Sequence, residues 1–434
     1  MRRSALTGVL KAVATLASAA ALGLAALMLL DSDAPPPADA APGMGTSEQV
    51  ERGRVLALAG NCATCHTARG GLPYAGGRGI GTPFGTVYAG NLTPDDATGL
   101  GRWSAAHFWR ALHHGRGFDG RRLVPAFPYT ETTRITRADS DALYAWLRTL
   151  PPVMHATPPH ALRWPYGTQP ALAAWRLAFF KPGEWQDDSR YSAEWNRGAY
   201  LVNGAGHCVA CHGGRNALGG TADAGFGGGL VPTRNWYAPA FTRAAEASVA
   251  DWPVDDIVAL LRDGAAPQGR AIGPMAEVVV QSTQHLPAAD LRAMAIYLKS
   301  LPVEAQHAPP SFQSAAPSRI DQGARLYRDH CAACHGDAAE GGATPSGALV
   351  VPPLAGNRVV TMNPPANLVR AIALGGFGAA TAANARPFGM PPFAHVLSDD
   401  EIGAVATYLR ASFGEAASPL SAFDVARWRA GSTD

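Results

Sequence analysis

No cysteine of this chain stands outside three copies of one five-residue frame: CATCH at 62–66, CVACH at 208–212 and CAACH at 331–335. With all six thiols so placed, none is left for a structural disulfide. That excludes the scattered, cross-paired cysteines of a secreted disulfide scaffold. Charge is scarce too. Only 16% of residues are charged, the net charge is +2 and the basic residues are not clustered, so the chain has no electrostatic footprint for nucleic acid. A dinucleotide fingerprint, a second metal cluster and a nucleophile constellation are all missing, so no substrate-oxidising site of its own is legible. In quantity the chain has glycine (48), proline (35) and hydrophobic residues (47%). Compact units joined by long ordered loops fit that composition, and 434 residues admit several of them.

Residues 1–45 read as a targeting segment and linker. Arg2, Arg3 and Lys11 precede an uncharged apolar run from Ala12 to Leu30. Nineteen helical residues reach about 28 Å, close to the roughly 30 Å of a bilayer core. The positive charges keep this end cytoplasmic and send the rest across the membrane. Two fates stay open, an export signal removed near Ala38-Asp39-Ala40 and a retained anchor helix.

Aligning the frames exposes a repeat. Each copy opens with a helical stretch containing Gly53, Gly198 or Gly323, which precede the first cysteine by nine, ten and eight residues. A long Gly/Pro-rich loop follows each frame, too broken for regular structure. A second helix then ends at glycine ("SAAHFWRALHHG", "PVDDIVALLRDG", "PPANLVRAIALGG"), and a third opens on Asp or Ser-Asp as its N-cap and first turn ("DSDALYAWLRTLP", "AADLRAMAIYLKSLP", "SDDEIGAVATYLRASF"). Its aromatics Trp146, Tyr297 and Tyr408 read as core. The fold expected is all-α, with three tandem small domains at 46–155, 191–305 and 319–412. Pro-rich linkers at 156–190 and 306–318 join them, and 413–434 forms a tail. Around Val425–Arg429 that tail is amphipathic, a docking element or a solvated end.

Two thiols three apart with an imidazole after the second suit zinc, a redox disulfide or haem. Structural zinc needs four ligands and each frame offers three; a redox disulfide needs no histidine. Haem uses every position. Cys62, Cys65, Cys208, Cys211, Cys331 and Cys334 would form thioethers to the vinyl groups, and His66, His212 and His335 would bind the irons. For the far side of the iron the repeat points to two thioethers: Met275, 63 residues after His212, and Met390, 55 after His335. At the corresponding place of the first copy, 61 residues after His66, stands Phe127, which cannot ligate iron. The first site is then His/His through His113 or His114, His/Met through Met154, or five-coordinate. The lone-helix reading of His113 and His114 is a C-terminus where imidazoles meet the dipole. Without a thioether, the first haem is expected at a lower potential than the other two.

Beyond the frames, the strings "GNLTPDDATGLGRWS" (90–104), "DGRRLVPAFPY" (119–129), "EWNRGAYLVNGAGHCVACHGGRNALGG" (194–220), "GPMAEVVVQSTQHL" (273–286) and "MPPFAHVLSDDEI" (390–402) resemble the three-haem cytochrome c subunits of membrane-bound bacterial dehydrogenases. The likeness runs from about residue 47 to 428. It covers the alcohol, gluconate, sorbitol and aldehyde enzymes and the cytochromes paired with molybdenum hydroxylases. It implies three class I cytochrome c-like domains with covalent haem c, with Met275 and Met390 as distal ligands. The implied partner is a quinoprotein, flavoprotein or molybdopterin catalytic subunit, and the acceptor ubiquinone or a terminal oxidase. The implied place is periplasmic, at the outer face of the inner membrane. Two departures stand out: Phe127 where some members carry methionine, and "CHGGRN" where a threonine-proline pair is expected after the second frame. The competing readings are a self-sufficient peroxidase- or reductase-like enzyme using an open first haem, and a free periplasmic carrier.

Overall fold

Glycine decides how the helices of this chain cross. The computed structural model describes residues 45–221, 225–304, 314–343, 349–414 and 418–431, with Thr15, Ser18, Gly23, Met28, Leu30 and Asp31 before them. The first helical triad is α1 (Ser47–Ala59), α2 (Ala105–His114) and α3 (Arg137–Leu147). The second is α4 (Ala193–Tyr200), α5 (Val254–Asp263) and α6 (Ala288–Lys299), and the third α7 (Pro317–His330), α8 (Ala366–Leu374) and α9 (Asp399–Phe413). In each triad the first helix lies against the third at the glycine singled out in sequence. A Cβ on Gly53, Gly198 or Gly323 would stand 1.9, 1.9 or 2.3 Å from the carbonyl oxygen of Ala142, Ala293 or Ala404. Backbones this close leave no room for a methyl group. Gly198→Ala is therefore expected to lower stability by about 1–3 kcal/mol, read as a drop in melting temperature. Gly183→Ala, with nothing within 4 Å of its added carbon, serves as the control.

The second helix of each triad ends where foreseen. Gly115, Gly264 and Gly375 follow α2, α5 and α8 with φ of 58°, 70° and 61°, left-handed values that glycine adopts without strain. The third helices start differently from expectation. Their N-caps are Thr136, Pro287 and Ser398, of which only the last belongs to the Ser-Asp pair. The first-turn carboxylates instead tie third helix to first: Asp139 pairs with Arg52, Asp290 with both Nε and Nη2 of Arg197 at 2.8 and 2.9 Å, and Asp400 with Arg319 at 2.9 Å. Such pairing satisfies arginine's planar fork better than a cap would. Trp146, Tyr297 and Tyr408 are half-buried packing aromatics; Tyr297 meets Trp195 edge-on at 5.2 Å and Tyr408 lies 5.6 Å from Tyr327.

The loops are more regular than their composition suggests. After the first frame, β1 (Gly79–Thr82) and β2 (Gly85–Tyr88) form an antiparallel hairpin, and β3 (Ala161–Leu162) adds to its edge. That strand, and a helix Gln169–Phe179 burying Leu172, Ala173 and Arg176, come from the segment expected to be a linker. Proline there shapes a path over the protein surface and does not make a spacer. The tail folds likewise: a helix Ala422–Arg429 buries Val425 completely, and Arg370 reaches the carbonyls of Trp428, Arg429 and Ala430. Its Val425 and Trp428 are spent on the chain itself, while Phe423 is exposed.

The chain separates into two compact units. One takes in the chain up to Gly53, His66–Trp185 and Ala217–Gly220; the other takes in Arg54–Cys65, Gln186–Asn216 and Thr221–Asp434. The second holds a large core in which Tyr327, Val369, Ile402 and Val405 are buried, with Cys331, Met390 and Phe393 packed at its margin. Most of the apolar run 12–30 and the Ala38-Asp39-Ala40 site lie outside the described residues. No helix among the described residues is long and apolar enough to cross a membrane.

Candidate functional site

Each frame lies in a short helical turn: Cys62–His66, Val209–His212 with Cys208 as its cap, and Ala332–His335 with Cys331 as its cap. Residues three apart on a helix share a face, so the two thiols of a frame point the same way. The first cysteine is half-buried and the second exposed in all three copies, and no disulfide joins any of the six. Before the second frame the helix widens into a π-turn, Leu201–Ala205. This absorbs extra chain between Gly198 and Cys208, where the spacing is longest.

The histidines share one further arrangement. The N–H groups of Gly76, Gly228 and Gly341 donate to the carbonyls of His66, His212 and His335 at 2.7, 2.8 and 2.8 Å. All three glycines have φ near 80°, which turns the loop back over the frame. Nδ1 of each imidazole then meets a loop carbonyl: His66 that of Gly90 at 2.7 Å, His212 that of Pro239 at 2.8 Å, His335 that of Pro352 at 3.1 Å. A carbonyl only accepts, so Nδ1 carries the proton and Nε2 keeps its lone pair for a metal. Burial lowers all three imidazoles against the weaker, opposing effect of that hydrogen bond, His212 to about 4. They are neutral at pH 7, as a ligand must be.

The thiols are held the other way. Burial, reinforced by the second cysteine of each frame, pushes Cys62 and Cys208 up to about 12 and Cys331 to about 11. Zinc binds thiolate, and among the described residues no three His, Cys, Asp or Glu side chains converge as metal ligands would. Two thiols on one face and a single poised imidazole match thioether attachment plus one axial bond, so the donor set fits haem c.

The distal candidates are placed as follows. Met275 is the second residue of a helix Pro274–Gln281; Met390 sits on a two-residue strand whose partner is Gly376, beside the C-cap glycine of α8. Phe127 occupies the register of Met275. Leu123 N–H bonds the carbonyl of Gly115 and Ala271 N–H that of Gly264, and four residues on stand Phe127 and Met275 respectively. Met154 is 80% exposed, and His155 spends Nδ1 on the carbonyl of Ala75 at 2.9 Å, in the loop that folds back over His66. His113 is buried on α2, stacked 4.3 Å from Trp109, and the His114 carbonyl accepts from Arg176 at 2.5 Å.

Sequence reasoning missed the three acceptor carbonyls and their turn glycines. The glycines follow the histidines by 10, 16 and 6 residues, so no fixed spacing marks them. It also missed that the peptides leading into the first two frames touch. His207, next to Cys208, places Nε2 3.1 Å from the carbonyl of Gly60, two residues before Cys62. A Cβ on Gly60 would lie 3.3 Å from the carbonyl oxygen of Ala205.

Two family models match the chain: "Cytochrome c" over residues 50–151 and "Cytochrome C oxidase, cbb3-type, subunit III" over 318–409. The cytochrome c subunit of the quinone alcohol dehydrogenase of Gluconobacter oxydans is 35% identical, over 88% of this chain and 82% of its own. The chain belongs to the cytochrome c subunits of dehydrogenases. The gluconate 2-dehydrogenase cytochrome c subunit of Pantoea cypripedii agrees, at 34% identity over 88% of this chain and 89% of its own. One of the subunits of the nicotinate dehydrogenase of Pseudomonas putida is 42% identical over 86% of this chain, which spans about a third of that longer protein (31%). Family membership makes this chain an electron-transfer component carrying cytochrome c domains.

Proposed function

We propose that the chain holds three haem c groups and relays electrons from a dehydrogenase catalytic subunit to membrane ubiquinone or a terminal oxidase. The chain would work from the periplasmic side of the inner membrane and leave substrate oxidation to its partner. When bound, the haem iron supplies one-electron redox chemistry. The single observation that carries the reading is the threefold repetition of the Nδ1–carbonyl bond, which leaves Nε2 of His66, His212 and His335 equally poised. Cys62 and Cys65, Cys208 and Cys211, and Cys331 and Cys334 would anchor the porphyrins, with Met275 and Met390 completing the second and third irons. Phe127 leaves the first without a thioether from that register, which supports a lower potential there.

The contact between Gly60 and His207 brings the first two attachment segments side by side, as a relay needs. His207→Ala removes that bond and is expected to slow electron passage between the first and second sites without altering their spectra; stopped-flow reduction at two wavelengths measures it. The reading as a whole is tested on the exported chain: denaturing gels stained for haem and an intact mass. Three porphyrin additions are expected, with reduction by the partner enzyme and reoxidation by ubiquinone analogues. The partner class follows from which purified large subunit reduces the chain: flavoprotein, quinoprotein or molybdopterin. A high-spin first haem that binds cyanide or peroxide fast would favour the self-sufficient enzyme instead.

A further inference from the structure

Asp31 follows directly on the apolar run, yet only 8% of it is exposed. Three arginines of the same compact unit enclose it. Arg122 Nε lies 2.5 Å from Oδ2, and Arg176 Nε lies 2.9 and 3.0 Å from the two carboxylate oxygens. Arg116 Nη2 donates to Oδ2 at 3.3 Å and also to the Asp31 carbonyl, which Arg122 Nη2 reaches at 3.3 Å. Arg122 holds the carbonyl of Met28 at 3.3 Å as well. None of the three is a surface residue: Arg116 and Arg122 are 7% exposed and Arg176 2%. Arg176 also stands over the rings of Phe180 and Tyr129, at 4.7 and 5.4 Å.

Guanidinium keeps its proton at any ordinary pH. Three of them buried together are tolerated only if a carboxylate or other anion shares the space. The first unit is thus built around a residue that processing at Ala38-Asp39-Ala40 would remove. We propose that the mature protein keeps its N-terminal segment, that Asp31 pins it to the first unit, and that the run 12–30 is a permanent anchor whose partner is the lipid bilayer. This deepens the membrane-side reading above and rests on export, not on haem.

The test uses the full chain with a C-terminal tag, extracted from the cell envelope in detergent. Its intact mass and N-terminal peptide should include Asp31, and the chain should partition with detergent; a mature N-terminus beyond Asp31 overturns the proposal. The same spectrum counts porphyrins, so loss of the haem reading shows separately. Asp31→Ala should lower the melting temperature by about 5 °C or more and Asp31→Glu should restore most of it. Unchanged melting in Asp31→Ala would refute the pinning role.

Discussion

An exported chain carrying both Cys331→Ala and Cys334→Ala is expected to weigh one porphyrin less than the parent and to keep about two thirds of its haem stain. Electron delivery to a quinone analogue should fall to background. Cys331, Ala332 and Met390 border the buried cluster around Tyr327, Ile402 and Val405. A porphyrin tethered there would form part of that core, and without it the cluster would lose one wall. Binding free energy and folding free energy are coupled at such sites. The third triad should therefore also melt earlier, while the first two keep their absorbance. Intact mass, haem stain and a differential melting scan together decide the outcome. A mass equal to that of the parent would remove the covalent reading of the third frame, and the same pair of substitutions at Cys62/Cys65 or Cys208/Cys211 repeats the test at the others.

Phe127→Met is expected to raise the lowest of three reduction potentials, and Met275→Phe to lower one of the higher two. Each shift should be on the order of 0.1 V, a fraction of the roughly 0.8 V over which axial ligands act. The argument is positional. Phe127 and Met275 stand four residues after the amide that closes onto the C-cap glycine of the second helix, so the exchange moves a thioether between equivalent places. Methionine is unbranched and flexible, and fills the room of a half-buried ring without strain. A spectroelectrochemical titration resolving three components provides the measurement. If Phe127→Met leaves all three potentials in place, the register does not face the first iron, and His113 becomes the residue to replace next.

Much of the candidate site was legible before any fold. The frames, the glycine before each and the C-cap glycine of each second helix are local signals, written within one turn or recurring from copy to copy. The carbonyls of Gly90, Pro239 and Pro352 were not. Any residue offers a carbonyl, so side-chain identity says nothing about which one will meet a histidine, and the loops between differ in length. The segment 156–190 misled for a related reason: proline and glycine mark where regular structure is interrupted, and say little about whether the pieces between pair with a distant hairpin.

The sequence alone determined which frames suit a porphyrin and how often they recur, because thioether and imidazole chemistry needs fixed residue types at fixed separation along one helical turn. Tertiary structure decided the rest. Which nitrogen of each imidazole is free, that the peptides leading into the first two frames meet through His207 and Gly60, and that Asp31 is buried among three arginines all depend on groups 17 to 147 residues apart in the chain. Contacts of that kind are set by how whole elements pack, and no short stretch of sequence encodes them.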